Sequence, residues 1–117
     1  MKLAKPYASC RKRSHWFAAV SENGEVMGVG ALDPKYGDRD NGGWLGPTFV
    51  NKDFRGKGVQ AELISIRLIL ARELELSYVE SATDVDNSAS LRNMLNAGFR
   101  TKYFDHNHNH IVLEWTP

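Results

Sequence analysis

Apolar and polar positions along this chain change period several times, and each change marks an element. Trp16 to Val20 is a run of aromatic and apolar residues and predicts a strand. Ser21-Glu22-Asn23-Gly24 follows, and Asn-Gly marks a hairpin because both residues tolerate positive φ. The return strand is Glu25 to Leu32, where Gly28 and Gly30 point to close backbone approach or a bulge. A polar loop, Asp33 to Gly43, leads to a third strand from Trp44 to Val50. Pro47 has no N–H to give a ladder, so this strand is expected to bulge or to lie at an opening in the sheet. Asn51 to Lys57 is again polar.

The clearest helix is predicted over Val59 to Glu75. Its apolar positions are Val59, Leu63, Ile64, Ile66, Leu68, Ile69, Leu70 and Ala71, a wide face suited to packing on a sheet. Leu76 to Ala82 reads as a fourth strand. Thr48–Val50, the helix and Leu76–Ala82 then predict a βαβ unit with parallel strands. Asp86 or Asn87 caps a short helix from Ser88 to Asn96, and Gly98 supplies its left-handed end. Phe99 to Phe104 and Ile111 to Trp115 are the last two strands, joined through Asp105 to His110. Residues 1–15 read as a basic, irregular segment. The expectation is one domain over 1–117, an α/β (α+β) fold of at most three layers. Its centre is a mixed, twisted sheet of about six strands with one long and one short helix.

Composition narrows the function. The chain has 117 residues, 42% hydrophobic and 25% charged, as an ordinary globular protein does. Lys plus Arg is 15 against 14 for Asp plus Glu, a balance that gives no global attraction to nucleic acid or to an anionic membrane. No apolar stretch approaches the roughly 20 residues of a membrane-spanning helix. Nor does an apolar run precede Arg11-Lys12-Arg13, so no signal peptide is expected. Cys10 is the one cysteine, which rules out an internal disulfide and suits a cytoplasmic location.

The segment with chemistry in it is Arg55-Gly56-Lys57-Gly58-Val59-Gln60-Ala61, set between a strand and the long helix. Glycines let a backbone approach a ligand closely, and free amides at a helix N-terminus favour anions. Arg55 and Lys57 add positive charge. This predicts a phosphate or pyrophosphate cradle, against the plainer reading of a tight turn with solvated bases. The triphosphate pattern G-x-x-x-x-G-K-[ST] fails, because Gly58 and Val59 follow Lys57. The dinucleotide pattern G-x-G-x-x-G/A is formally met by Gly56, Gly58 and Ala61, and Glu80 could hold a ribose. Against that reading, the loop from Val50 to Gly56 is long and polar, and few residues remain for a doubly wound sheet.

Val50-x4-Arg55-Gly56-Lys57-Gly58-Val59 resembles the cofactor loop of the GNAT acetyltransferase superfamily, and Asn87-x2-Ser90-x-Arg92-x5-Gly98-Phe99 resembles that family's second signature. The resemblance follows element order over roughly 16 to 115 and is specific over 44–99. It implies an acyl-CoA N-acyltransferase-like fold, here with truncated N-terminal elements, and acetyl-coenzyme A as cofactor. Backbone groups of Phe49 and Val50 would pair with the pantetheine arm like an extra strand. Amides from Gly56 through Lys57, Gly58, Val59 and Gln60 to Ala61 would hold the pyrophosphate, with Arg55 at its entrance. Asn87 and Ser90 would stand beside the pantetheine and the thiol, as the candidate catalytic pair. The implied reaction is direct attack of an amine on the thioester. The alternatives are a non-catalytic coenzyme A binding or regulatory module and a small dinucleotide-binding domain.

The chain departs from the family pattern at three points. Gln60 stands where glycine or alanine is usual. Met94 stands where many members carry a tyrosine acid, so thiolate protonation falls to Ser90, water or another group. Few residues precede the first strand, so the acceptor pocket is expected to be open or completed by a second copy in a homodimer. The acceptor is an unnamed amine, small molecule or protein. Asp40, Asp53, Glu80 and His15 are candidate bases by proximity in sequence only. His106, His108 and His110 alternate and would share a face if extended, but a polar hairpin loop is the plainer reading and no metal is assigned.

Overall fold

The computed structural model describes residues 2–3, 7–8, 14–34 and 41–117. Two short strands come first, β1 (Lys2–Leu3) and β2 (Tyr7–Ala8). Six longer ones follow: β3 (His15–Val20), β4 (Val26–Asp33), β5 (Gly42–Val50), β6 (Tyr78–Asp84), β7 (Arg100–Asp105) and β8 (His110–Trp115). The helices are α1 (Val59–Glu73) and α2 (Ser88–Asn96), and a single 3-10 turn spans Lys52–Phe54. The sheet runs β1-β3-β4-β5-β6-β8-β7, with β2 also paired to β3.

The N-terminal segment therefore differs from its expected irregular form, since β1 and β2 both add antiparallel pairs to β3. Strands of two residues carry too little alternation to register in a hydrophobic pattern. Cys10 and Arg11 to Arg13 lie outside the described residues, as does Asp40.

The parallel join between β5 and β6 is where the site begins. It holds only Gly42↔Tyr78, Gly43↔Val79 and Trp44↔Glu80. Thr48–Val50, expected to pair in parallel with β6, is paired on its other edge alone, antiparallel to Gly28–Gly30 of β4. A bulge explains the change. Between Gly30↔Thr48 and Leu32↔Leu45, β4 contributes one residue, Ala31, and β5 contributes two, Gly46 and Pro47. The extra residue bends β5 away from β6.

Both helices pack on one face of the sheet, giving two layers. Ile64, Leu68 and Ala71 of α1 share a buried cluster with Met94 of α2 and with Leu32, Leu45, Val79, Leu113 and Trp115 of the strands. A second cluster joins Val59 and Leu63 to Phe17, Ala19 and Met27. Within the expected apolar stripe of α1, Ile69 is exposed, whereas Arg67, left out of it, is fully buried. α2 ends as expected at Gly98, φ 104°, with Phe99 N donating to Met94 O and Gly98 N to Leu95 O, both at 3.1 Å.

Candidate active site

Where β5 turns from β6, Ser81 Oγ donates to Leu45 O at 2.7 Å and makes the last tie between the two strands. Past it, on the helix side, a cleft of about 460 Å³ opens between the end of β5 and the N-terminal ends of α1 and α2. Thr48, Val50, Phe54, Arg55, Gly56, Gly58, Val59, Gln60, Asn87, Ala89 and Asn93 bound it.

The floor of the cleft is a helix start that its own chain leaves open. Gly56 and Gly58 adopt φ 75° and 81°, and a Cβ at either would meet nothing within 4 Å. Backbone conformation therefore demands these glycines, not space. Gly58 caps α1 with no side-chain hydrogen bond, so the first-turn amides and the positive end of the helix dipole face outward. Arg55 lines the same opening and its Nε donates to Val50 O at 3.4 Å. Lys57 sits outside the lining, with Nζ 5.6 Å from the centre of the Phe54 ring.

The wall opposite is the start of α2, closed by its own side chain. Asn87 Oδ1 accepts from Ser90 N at 3.1 Å. Gln60 bridges the helices, its Nε2 donating to Ser90 Oγ at 3.1 Å and its Oε1 accepting from Asn93 Nδ2 at 2.8 Å. The residue at the usual glycine or alanine position is thus the link between the two halves of the site.

Behind Gln60 and Ser90 lies a narrow slot of about 20 Å³ between Gly46–Thr48 of β5 and Ser81–Ala82 of β6, backed by Ile64 and Met94. It shares Thr48 and Gln60 with the cleft, and Gly46 and Pro47 with a second pocket. That pocket, about 280 Å³, is bounded by Ser14, Trp16, Ala31, Asp33, Trp44, Gly46 and Pro47. Strand alternation puts Trp16, Asp33 and Trp44 on the sheet face opposite the helices, because Phe17, Leu32 and Leu45 face them. Cleft, slot and pocket thus follow one another along the split between β5 and β6, each sharing lining residues with the next.

The structure gathers most of the residues expected from the sequence. Val50, Arg55, Gly56, Gly58, Val59, Gln60 and Asn87 meet in the cleft, and Ser90 borders the slot. Phe49 pairs with Val29 and turns an exposed ring to the other face, while Lys57 and Ala61 stay off the lining. Met94, where a tyrosine acid was absent, is a buried core residue at the back of the slot. Of the candidate bases, Asp53 is exposed in the 3-10 turn and His15 lies on β3, outside all three spaces. Glu80 sits within β6, bound by Lys102 Nζ, which also reaches Glu114 at 3.1 Å. The histidines do not alternate along a strand: 106–109 form a turn in which His108 Nδ1 lies 2.8 Å from Asp105 Oδ2. That hydrogen bond holds the Asp105 carboxyl below its usual range.

Three residues escaped the sequence reading. Thr48 and Asn93 line the cleft. Asn93 completes a polar stripe, Asn87-x2-Ser90-x2-Asn93, at helical spacing. Arg67 lies four residues past Leu63 and four before Ala71, on the buried stripe of α1.

A mixed sheet split beside a glycine-started helix is the fold of acyl-CoA N-acyltransferases, and solved structures agree. An acetyltransferase from Bacillus subtilis, in complex with CoA, superposes with a TM-score of 0.80 at 18% identity, over 91% of this chain and 78% of that one. The IAA acetyltransferase of Bacillus cereus ATCC 14579 gives 0.76 at 21% identity, over 91% and 79%. The ribosomal-protein-S5-alanine acetyltransferase of Vibrio fischeri gives 0.76 at 16%, over 89% of this chain and 62% of that one. No curated protein matches the sequence. The acetyltransferase (GNAT) family model matches residues 3–99, and the chain belongs to that family. It is an acyltransferase, with acetyl-coenzyme A as its cosubstrate. The dinucleotide-binding reading does not survive: the parallel join is three residue pairs long, and the other strand pairs are antiparallel. No helix among the described residues is long and apolar enough to cross a membrane.

Proposed function

We propose that this chain is a cytoplasmic N-acetyltransferase that moves the acetyl group of acetyl-coenzyme A to a primary amine by direct attack. The observation that carries the reading is the order of three spaces: a cleft at the glycine-started helix, a slot of about 20 Å³ at the split between β5 and β6, and a pocket on the other face, each sharing lining residues with the next. The cosubstrate supplies a thioester carbonyl. In the proposed arrangement the amides of Gly56 to Ala61, with Arg55 and Lys57, hold the pyrophosphate. The main chain of Phe49 and Val50 pairs with the pantetheine arm, and Asn87 stands beside it. The amine enters between Trp16 and Trp44, whose indole faces attract cationic and apolar groups alike.

In the reaction the amine nitrogen bonds to the carbonyl carbon, the carbon–sulfur bond breaks, and the nitrogen gives up a proton. Ser90 Oγ, which already accepts a hydrogen bond from Gln60, keeps its own proton for the departing sulfur. Water at the open pocket takes the proton from nitrogen, and solvent returns one to Ser90 Oγ, which relays a proton to sulfur and ends neutral.

The test is calorimetric titration with acetyl-coenzyme A, with NAD and ATP as controls, followed by thiol release in the presence of a panel of primary amines. Selective binding with amine-dependent thiol release is expected. Binding without release under any amine would identify a coenzyme A binding module, and no binding would remove the cosubstrate site.

A further inference from the structure

The bulge between β4 and β5 leaves carbonyl groups without a ladder amide. Ala31 stands opposite both Gly46 and Pro47, and Pro47 has no N–H to give. Arg67, reaching up from α1, supplies the missing donors. Its Nη1 donates to Ala31 O and to Gly46 O, each at 2.9 Å, and its Nη2 donates to Thr48 Oγ1. Its Nε donates to Leu63 O one turn back at 2.9 Å, which fixes the side chain against its own helix. The guanidinium is fully buried, and no carboxylate among the described residues pairs with it. Gly30 makes the room, since a Cβ there would lie 2.7 Å from Arg67 Cζ.

Burying a charge is a poor way to gain stability, because apolar residues of the same volume do as well or better. What this charge grips is informative. Apart from its own helix, the Arg67 guanidinium hydrogen-bonds Ala31 of β4 and Gly46 and Thr48 of β5, the last two in the β5 wall of the slot. Burial lowers its pKa to about 9, so it is still charged at neutral pH and keeps every donor.

We infer that Arg67 is a positioning residue for acyl transfer: it holds Gly46–Thr48 turned away from β6, so that the slot stays open and the edge of β5 past the bulge faces the cleft. The inference rests on the acetyl transfer proposed above. Arg67 lies nine residues along α1 from Gly58, about 13 Å at the rise of an α-helix. Its effect on the β5 edge is therefore separable from anion binding at the glycine loop.

The experiment compares two probes by calorimetry: coenzyme A, which spans loop and β5 edge, and adenosine 3′,5′-bisphosphate, which has no pantetheine arm. Wild type is expected to bind coenzyme A more tightly. In Arg67→Met that advantage should fall about tenfold while bisphosphate affinity stays within twofold, and Arg67→Lys should restore part of it. Thr48→Val, which removes one acceptor and keeps the shape, should lose the advantage in part. An unchanged ratio in Arg67→Met would overturn the inference and leave Arg67 a residue of the fold alone. Should Arg67→Met fail to fold, an unchanged ratio in Thr48→Val would overturn it equally. Wild type that binds neither probe would sink the acetyl-transfer reading itself, a result separate from these.

Discussion

Gln60 of α1 donates a 3.1 Å hydrogen bond to Ser90 Oγ of α2, and this contact ties the two helices where the cleft narrows into the slot. Ser90 is buried and borders the slot, its main-chain N–H is held by Asn87, and its hydroxyl oxygen accepts from Gln60 while keeping a proton to give. Ser90→Ala should leave acetyl-coenzyme A affinity within about twofold yet lower kcat about a hundredfold, the scale of one lost general acid. Thiol-release kinetics beside calorimetry give both numbers. Equal kcat in the variant would move the proton donor to water.

Gly58 tests the helix start. Its φ of 81° suits glycine, and asparagine far better than a β-branched residue. No protein atom beyond its chain neighbours lies within 4 Å of a Cβ placed there, so within the chain the substitution strains the backbone without a clash. Gly58→Val should weaken acetyl-coenzyme A binding tenfold or more, about 1.4 kcal/mol at the least. Gly58→Asn should lose far less. Equal losses in the two variants would mean that side-chain bulk at the cleft, not main-chain conformation, sets affinity.

Lys102 governs a pH effect on stability. Hydrogen bonds to Glu80 and then Glu114 raise its pKa above the ordinary 10.5. A cation whose folded pKa is raised stabilises fully below its unfolded pKa and loses that contribution as pH climbs through the folded one. Lys102 is 41% exposed, so solvent screening limits its worth to about 1 kcal/mol or less. Lys102→Met should lower Tm by at most about 4 °C near neutrality. The gap from wild type should close above about pH 10.5. Melting curves across that range decide it, and a gap that widens in alkali would refute the assignment.

Most of the scaffold was legible because its signals are local. The hairpin at Asn23-Gly24, the cap at Asn87, the stop at Gly98 and the glycine loop at 56–58 each depend on neighbours in sequence. What escaped depends on partners far along the chain. Pro47 marked an opening, but only the register with Ala31 shows the bulge that turns Thr48–Val50 away from β6 while leaving it paired to β4. Arg67 sat on the apolar stripe at the correct spacing and was passed over because a lone arginine ordinarily belongs to the surface. Two of its acceptors are main-chain carbonyls at 31 and 46, residues whose side chains announce nothing.

The two helices that frame the cleft begin in opposite ways. α2 is completed by Asn87, a cap of a kind worth about 1 kcal/mol. α1 starts at a bare glycine and carries no such cap. Part of the folding free energy a helix ordinarily draws from its own sequence is thus left outside the chain, to be supplied by whatever anion comes to rest on those amides. Thermal stability and occupancy become one linked quantity, and the protein is completed, thermodynamically, by what it binds.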